Sequence, residues 1–183
     1  MNVRVKGWVR GKRRRLRLIT ALAIGLTSVS TAGCLYKFSG GGGLPSHINT
    51  IFVPPVENET TQFTLTELLT TGLLDAARDR LGVQLAAEED ADAVIRASIT
   101  RYSDRALSFQ AEEDVGAQVF QRQVSITARV EIVDVTRNEI LWSGPAVNGL
   151  GQYEPDTETE VTAQEVALEN LIQKVVDGAQ SQW

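Results

Sequence analysis

The sequence contains little of the side-chain chemistry on which most enzymes and metal sites depend. Its 183 residues include one cysteine, Cys34, and one histidine, His47. A single cysteine cannot close a disulfide within the chain, so its thiol is free, intermolecular or modified. One cysteine and one histidine provide neither a nucleophile–base pair nor a histidine-rich metal site. We therefore predict no catalytic, cofactor-binding or metal-binding residue, and we expect His47 to be a surface or packing residue.

A hydrophobic run long enough to cross a membrane is missing from the N-terminal region. The apolar stretch of residues 18–26 has about half the length of a transmembrane helix. Eight basic residues and no acidic residue precede it, and small residues follow at 29–33. Basic, apolar and small-residue regions in this order are typical of a secretory signal peptide. We place this signal peptide at residues 1–33.

The only cysteine follows this segment directly. Thr31-Ala32-Gly33-Cys34 resembles the bacterial lipobox, in which small residues precede a cysteine that is acylated and becomes the mature N-terminus. Threonine occupies the first position, where leucine is usual. We predict Cys34 as the lipid-attachment residue, and several acyl chains on one cysteine hold a protein durably at a membrane. Residues 34–46, with four consecutive glycines, are predicted to form the lipidated N-terminus and a flexible tether.

Basic side chains are scarce beyond the predicted cleavage site. Ten of them remain there against all 23 acidic residues, which gives a formal charge of −13. Such a surface disfavours binding of nucleic acid and electrostatic docking on anionic headgroups. Residues 47–183 are numerous enough to form a single domain with its own hydrophobic core.

Two segments have the pattern of amphipathic helices. Thr64–Glu67 and Thr162–Glu165 both match the capping box that begins a helix, and Gly82 is placed to end the first helix. The apolar residues that flank each box suit a hydrophobic staple, namely Phe63 with Leu68 and Val161 with Val166. Apolar residues then recur at helical spacing, so each helix has one face to bury. These stripes are Leu65, Leu68, Leu69, Leu73, Ala76, Ala77 and Leu81, and Leu168, Leu171, Ile172, Val175, Val176 and Ala179.

Between the helices the sequence favours β-strands. From residue 119 to residue 132 apolar and polar side chains alternate, so a strand there has one dry and one wet face. Asn138 lies in a tight turn at 134–138, where it can adopt a left-handed conformation. The predicted strands cover residues 48–56, 94–109, 119–132 and 140–153. We predict an α+β fold, a two-layer sandwich with two helices on one face of a mostly antiparallel sheet, in the order β-α-β-β-β-α.

Several segments resemble the lipopolysaccharide-assembly lipoprotein family, LptE. The resemblance rests on Cys34–Ser39 and Leu44–Thr60 in the first part of the mature chain and on Ala91–Ile99 after the first helix. It continues through Asp134–Trp142, where Asn138 stands in place of the commoner glycine. The likeness spans nearly the whole mature chain.

The resemblance implies a function without catalysis. Proteins of this family are lipid-anchored at the inner leaflet of the outer membrane, with the domain facing the periplasm or a barrel lumen. They act as plug and assembly partner of an LptD-like β-barrel protein that inserts lipopolysaccharide into the outer leaflet, and they contact lipopolysaccharide on its way. Leu35 after the cysteine, rather than aspartate, agrees with sorting to the outer membrane. No ligand residues are carried over to this chain.

Other kinds of lipoprotein remain open at this point. Secretion-channel subunits and activators of cell-wall synthases also combine an acylated cysteine with a small α/β domain, whose first strand resembles Ile48–Val56. A channel subunit should carry additional long amphipathic segments, for which the 150 residues of the predicted mature chain leave little room. A structural lipoprotein without cargo is the third alternative.

The lipid anchor is directly testable. Replacing Cys34 with serine removes the thiol that accepts the acyl group, so the variant should be released as an unacylated periplasmic protein. Wild-type protein extracted from membranes should show, by intact-mass measurement, loss of residues 1–33 and the added mass of acyl chains. An unprocessed wild-type chain without acyl chains would contradict the prediction.

Overall fold

Two helices and six strands form the part of the chain that the computed structural model describes, residues 43–112 and 116–182. The predicted signal peptide, Cys34 and the tether as far as Gly42 lie outside the described residues. The helices are α1 (Thr64–Asp79) and α2 (Glu160–Gln180). The strands are β1 (Thr50–Phe52), β2 (Glu57–Asn58), β3 (Gln84–Leu85), β4 (Ala93–Glu112), β5 (Gly116–Asp134) and β6 (Glu139–Tyr153).

The strands form one mixed sheet in the order β3-β1-β4-β5-β6, and β2 also pairs with β4. The three long strands β4, β5 and β6 are antiparallel, whereas β1 runs parallel to β3 and β4. The predicted α+β sandwich with a mostly antiparallel sheet is therefore confirmed. Two short strands join the predicted order. Pro54 and Pro55 cannot donate backbone hydrogen bonds, so the first predicted strand is divided into β1 and β2.

The helices and one face of the sheet share a single hydrophobic core. The apolar residues of β5 that the alternation assigned to the dry face, Val124, Ile126, Ala128, Val130 and Ile132, are all fully buried. The predicted stripe of α2 is buried throughout, and that of α1 is buried except at Leu68. Gly82 after α1 and Asn138 before β6 have positive φ angles of 70° and 52°, as the turn patterns predicted.

Helix α2 lies against β6 at very short range. A Cβ atom added to Gly149 would overlap the backbone carbonyl of Ala167, and one added to Gly151 would overlap that of Ala163. Small residues therefore face each other on the strand and on the helix. The absence of side chains at these two glycines allows the helix backbone to approach the sheet, and this contact fixes the position of α2.

The predicted capping box at the start of α1 is wrong. Thr64 is already helical, Phe63 occupies the N-cap position, and no side chain caps the helix. Phe63 is 81% exposed, so it forms no staple with Leu68. The preceding turn orders the chain instead, because the Asn58 side chain donates to the carbonyl of Gln62 at 2.9 Å.

The predicted capping box at the start of α2 is also wrong. The helix begins at Glu160, and the N-cap is Thr159, whose hydroxyl accepts a hydrogen bond from the amide of Thr162 at 3.3 Å. Thr162 thus provides the donor that is capped. Val161 and Val166 of the predicted staple are both exposed.

The segment that leads into β1 is held by a cluster that we call the N-terminal clasp, formed by His47, Asp92 and Asp134. The His47 ring lies 2.7 Å from the carboxylate of the buried Asp134, whereas the sequence indicated only a surface or packing role. The amides of Asn49 and Thr50 each donate to Asp92 at 2.9 Å. These amides hold the pKa of Asp92 below its ordinary value. Burial opposes ionisation of Asp134, but the bonds from His47 and the amide of Arg137 outweigh it and lower its pKa.

The corrected start of α2 gives a stability prediction. Thr159→Ala removes the acceptor for a first-turn amide and should lower the free energy of unfolding by about 0.5–2 kcal/mol. Leu171→Ala opens a cavity in the core and should lower it by about 2–5 kcal/mol. Thr162→Ala keeps this acceptor and removes only a hydroxyl that lies 3.0 Å from that of Thr159, so as the comparison variant it should lower the free energy of unfolding less than Thr159→Ala does. Denaturant unfolding checks this order, and a larger loss from Thr162→Ala than from Thr159→Ala would contradict the assigned cap.

The lowered pKa of Asp92 gives a prediction on pH. A carboxyl whose pKa is lower in the folded state stabilises the fold above the unfolded value of about 3.9. This contribution disappears as the pH falls through the folded value. Asp92→Asn should therefore be less stable than wild type at pH 7, and the difference should shrink below about pH 4. Unfolding curves between pH 7 and pH 2 measure this difference, and a difference independent of pH would refute the assignment.

Candidate partner-binding face

His47, for which the sequence predicted no catalytic role, has a structural contact. Its ring is bound by Asp134 in the N-terminal clasp. Among residues 43–112 and 116–182, no three His, Cys, Asp or Glu side chains are grouped so that they could hold a metal ion. In the same part of the chain, neither helix is long and apolar enough to span a membrane. The predicted lipid-attachment residue Cys34 lies outside the described residues.

The face of the sheet opposite the helices, which we call the open face, has its own organisation. The pairing of strands places Phe52 beside Val94, Val94 beside Val133, and Val133 beside Ile140. Cross-strand neighbours lie on the same face, so these residues form an apolar row across four strands. Ile140 is well exposed at the end of the row, whereas Val94 is buried.

A groove of about 500 Å³ begins beside this row, along β1 and β4. Phe52, Val94 and the two prolines at 54–55 provide its apolar lining. The prolines carry the chain away from β4 between the short pairings of β1 and β2, and the groove lies where the chain makes this detour.

The next residues along β4 and β5 bring charges to the same groove. Arg96 pairs with Glu131 across the two strands, and Ser98 pairs with Arg129. Glu57 and Glu88 complete the charged part of the lining. The groove therefore combines an apolar end with both signs of charge and can bind an amphiphilic or polypeptide surface.

Arginines extend beyond the groove along the open face. Arg101 pairs with Thr127, and Arg105 pairs with Gln123, to which it donates a hydrogen bond of 3.1 Å. Arg96, Arg101, Arg105 and Arg129 are all exposed, and none of them forms an ion pair with another described residue. Although the mature chain is strongly acidic, this face carries four guanidinium groups with free hydrogen-bonding capacity.

A β-bulge explains why these arginines share a face. Arg96 and Arg101 are five residues apart, so strict alternation would place them on opposite faces. The register shifts between Ile99 and Arg101, and this bulge returns Arg101 and Arg105 to the face of Arg96. The net charge of the chain therefore does not indicate that arginines collect on one face. Strict alternation of side chains along β4 does not predict it either, because alternation takes no account of the bulge.

On the helix-covered face, at the level where β6 ends, the three long strands carry a polar cluster that we call the root cluster. It is formed by Asp104, Arg122 and Tyr153. The Arg122 guanidinium donates to both oxygens of Asp104, at 2.7–3.1 Å, and the Tyr153 hydroxyl donates to Asp104 at 2.9 Å. This bidentate contact with Asp104 raises the pKa of Arg122. Burial and the Asp104 carboxylate raise the pKa of Tyr153. The cluster thus ties the three long strands together at one level.

A second polar contact joins the sheet to the first turn of α2. The Tyr102 hydroxyl donates to Glu160 and accepts from the side chain of Gln164 at 3.0 Å. Burial, followed by the hydrogen bond to Glu160, raises the pKa of Tyr102. This contact is made by the first residue of α2 and therefore favours a helix start at Glu160. Sequence reasoning missed both polar clusters, since their members are far apart in the chain.

Solved structures with a similar fold come from several bacteria. A hypothetical protein from Chlamydia trachomatis matches with a TM-score of 0.52 and 9% identity, over 73% of this chain and 97% of that chain. The PelC dodecamer subunit from Paraburkholderia phytofirmans has a TM-score of 0.45 and 15% identity, over 74% and 92%. A minor lipoprotein from Acinetobacter baumannii has a TM-score of 0.42 and 18% identity, over 73% and 92%. The first of these supports the fold and no more than the fold.

Comparison at the level of sequence identifies the family. No curated protein matches this chain. A family model described as lipopolysaccharide-assembly, LptE, matches residues 48–180. This range includes both helices, all six described strands and the open face, and it confirms the resemblance drawn from the sequence. The chain therefore belongs to the lipopolysaccharide-assembly family LptE, and its role lies in lipopolysaccharide assembly.

Proposed function

We propose that this protein is an outer-membrane lipoprotein that serves as plug and assembly partner of a lipopolysaccharide-inserting β-barrel. In this proposal Cys34 carries the lipid after removal of residues 1–33, and residues 34–46 tether the domain to the membrane. The domain, residues 47–183, faces the periplasm or the barrel lumen. The protein acts by binding and has no enzymatic activity.

The open face is the observation that carries this proposal. The chain places both helices on one side of its sheet and uses the other side for a groove and four arginines that form no ion pair with another described residue. A face of this kind suits a large partner surface, because its binding groups are distributed over several strands. An arrangement in which shape and hydrogen bonds provide the binding does not require a reactive group.

The chemistry of the open face also suits the interior of a barrel. Side chains that point into a transmembrane β-barrel are largely polar. Beyond the groove, the open face presents hydroxyl and guanidinium groups from Thr127 and the arginines, so it can form hydrogen bonds with such a wall. A plug with an apolar surface would leave the polar groups of the lumen unsatisfied.

Contact with lipopolysaccharide is the finer part of the proposal. Arginine binds phosphate and carboxylate oxygens through paired N–H donors, and these charge-assisted bonds are stronger than neutral ones. The arginines of the open face provide such donors on a domain whose net charge is negative. They make the phosphates of lipopolysaccharide a chemically suitable ligand for this face.

Purification of the tagged full-length protein from its native host tests the proposal. In mild detergent it should bring down one large β-barrel protein in a stable complex together with lipopolysaccharide. Depletion should lower the amount of folded barrel and make the outer membrane leaky to large hydrophobic antibiotics. Arg96→Gln combined with Arg101→Gln should reduce copurifying lipopolysaccharide by about tenfold or more, because each charge-assisted bond contributes about 1.5–3 kcal/mol.

The matched control replaces two exposed arginines elsewhere. Arg78→Gln combined with Arg137→Gln removes the same charge from outside the open face and should leave the yield of barrel and lipopolysaccharide unchanged. The rival functions give other results: a secretion-channel subunit would elute as a ring of identical chains, and a synthase activator would recover a penicillin-binding enzyme. Either result, with unchanged barrel levels after depletion, would overturn the proposal.

A further inference from the structure

The apolar row of the open face begins in the groove and continues from it across the sheet. It runs from Phe52 through Val94 and Val133 to Ile140, over about 14 Å at about 4.8 Å per strand. Val94, which lines the groove, is only 5% exposed, whereas Ile140 at the other end is 58% exposed. The groove and the row therefore form one continuous apolar surface, which is sheltered at β4 and opens to solvent at β6.

The strand pairing along the row suits a hydrocarbon chain better than a polypeptide. Val94 has Phe52 on one side and Val133 on the other, and Val133 has Val94 and Ile140. At this level β4 and β5 are therefore paired on both sides, and a peptide lying on the row would find no backbone partner in the sheet. Peptide groups that are buried without hydrogen bonds are costly, whereas a hydrocarbon chain has no such groups.

The strand register also arranges the charges beside the apolar row. Arg96 lies opposite Glu131, and in the next row Ser98 lies between Glu57 and Arg129. Arg96 and Arg129 are therefore diagonal neighbours, with Cβ atoms roughly 7 Å apart. Ser98 is buried, so the charged side chains surround a recessed point of the open face. Two guanidinium groups and two carboxylates thus converge next to the apolar end of the groove.

These charged groups remain available to a ligand. Although Arg96 lies opposite Glu131, the two form no ion pair, and neither Arg129 nor Glu57 pairs with another described residue. Two neighbouring guanidinium groups can bind one phosphate through paired N–H donors. A ligand with negative charge alone would also meet the carboxylates of the groove, to which Glu88 adds another. A headgroup that carries both a phosphate and an ammonium group matches both signs.

We propose that the groove and the apolar row bind a single phospholipid with a phosphoethanolamine headgroup. Arg96 and Arg129 bind its phosphate, Glu57 accepts hydrogen bonds from its ammonium group, and an acyl chain lies along the row towards Ile140. The groove, at about 500 Å³, has the size of a small-molecule site and holds the headgroup with the start of the chain. This inference goes beyond the proposed function, because neither the barrel nor lipopolysaccharide takes part in it.

Lipid titration of the full-length protein in mild detergent tests the headgroup. The probes are phosphatidylethanolamine and phosphatidylglycerol with the same acyl chains, and native mass spectrometry counts the lipids bound. One phosphatidylethanolamine should bind per chain, about tenfold or more tightly than phosphatidylglycerol, because only its ammonium group can donate to Glu57. Glu57→Gln should weaken phosphatidylethanolamine binding by about tenfold. The matched control Glu165→Gln removes the same charge from an exposed position on α2 and should leave binding within about twofold of wild type.

A second pair of variants tests the acyl chain. Ile140→Ser shortens the apolar row and should weaken phosphatidylethanolamine binding about threefold or more, whereas Val166→Ser, on α2 and 46% exposed, should not. Thermal unfolding checks that all variants are folded. Equal affinity of wild type for the two lipids would overturn the inference, as would equal binding by Glu57→Gln and Glu165→Gln, or attachment to vesicles without a one-lipid adduct. None of these results bears on the proposed function, whose own test measures recovery of barrel and lipopolysaccharide.

Discussion

The close packing of α2 on β6 is the constraint on which the arrangement of the molecule depends. Gly149 and Gly151 leave room for the helix backbone, and neither has a positive φ angle, so glycine is required there for space and not for backbone conformation. With α2 fixed at this distance, Asn170 and Lys174 reach the sheet edge and Glu160 reaches Tyr102. Both helices then cover the same face, and the opposite face remains available for a partner.

The sequence was a good guide wherever structure follows from local pattern and burial on one side. Alternation along β5 predicted its buried face, and helical spacing predicted the buried stripe of α2, because in both cases burial of one face dominates the choice of conformation. Gly82 and Asn138 were predictable from their tolerance of positive φ angles. The family was recognisable for the same reason, since the segments that carry the resemblance contribute much of the sheet and its turns.

The features that the sequence did not disclose arise from contacts between distant residues or from irregular backbone. Thr159 and Thr162 are equally suited to cap a helix, and the contact of Glu160 with Tyr102, 58 residues away, favours the earlier start. A single extra residue at the bulge near Thr100 decides which arginines share the open face, and nothing in the local pattern marks it. Net charge misled in a related way, because a sum over the chain says nothing about how charges are distributed between two faces.

The N-terminal clasp also has a mechanical consequence. Any pull transmitted through the chain before Gly43 meets the contact between His47 and Asp134, and then the two amides bound to Asp92, before it reaches the buried Ile51 of β1. Because these bonds join residues more than 40 positions apart, the load spreads into the start of β4 and the end of β5. The clasp therefore bears such a load before the core does, and the hydrogen bonds of His47, Asn49 and Thr50 would break before β1 is displaced.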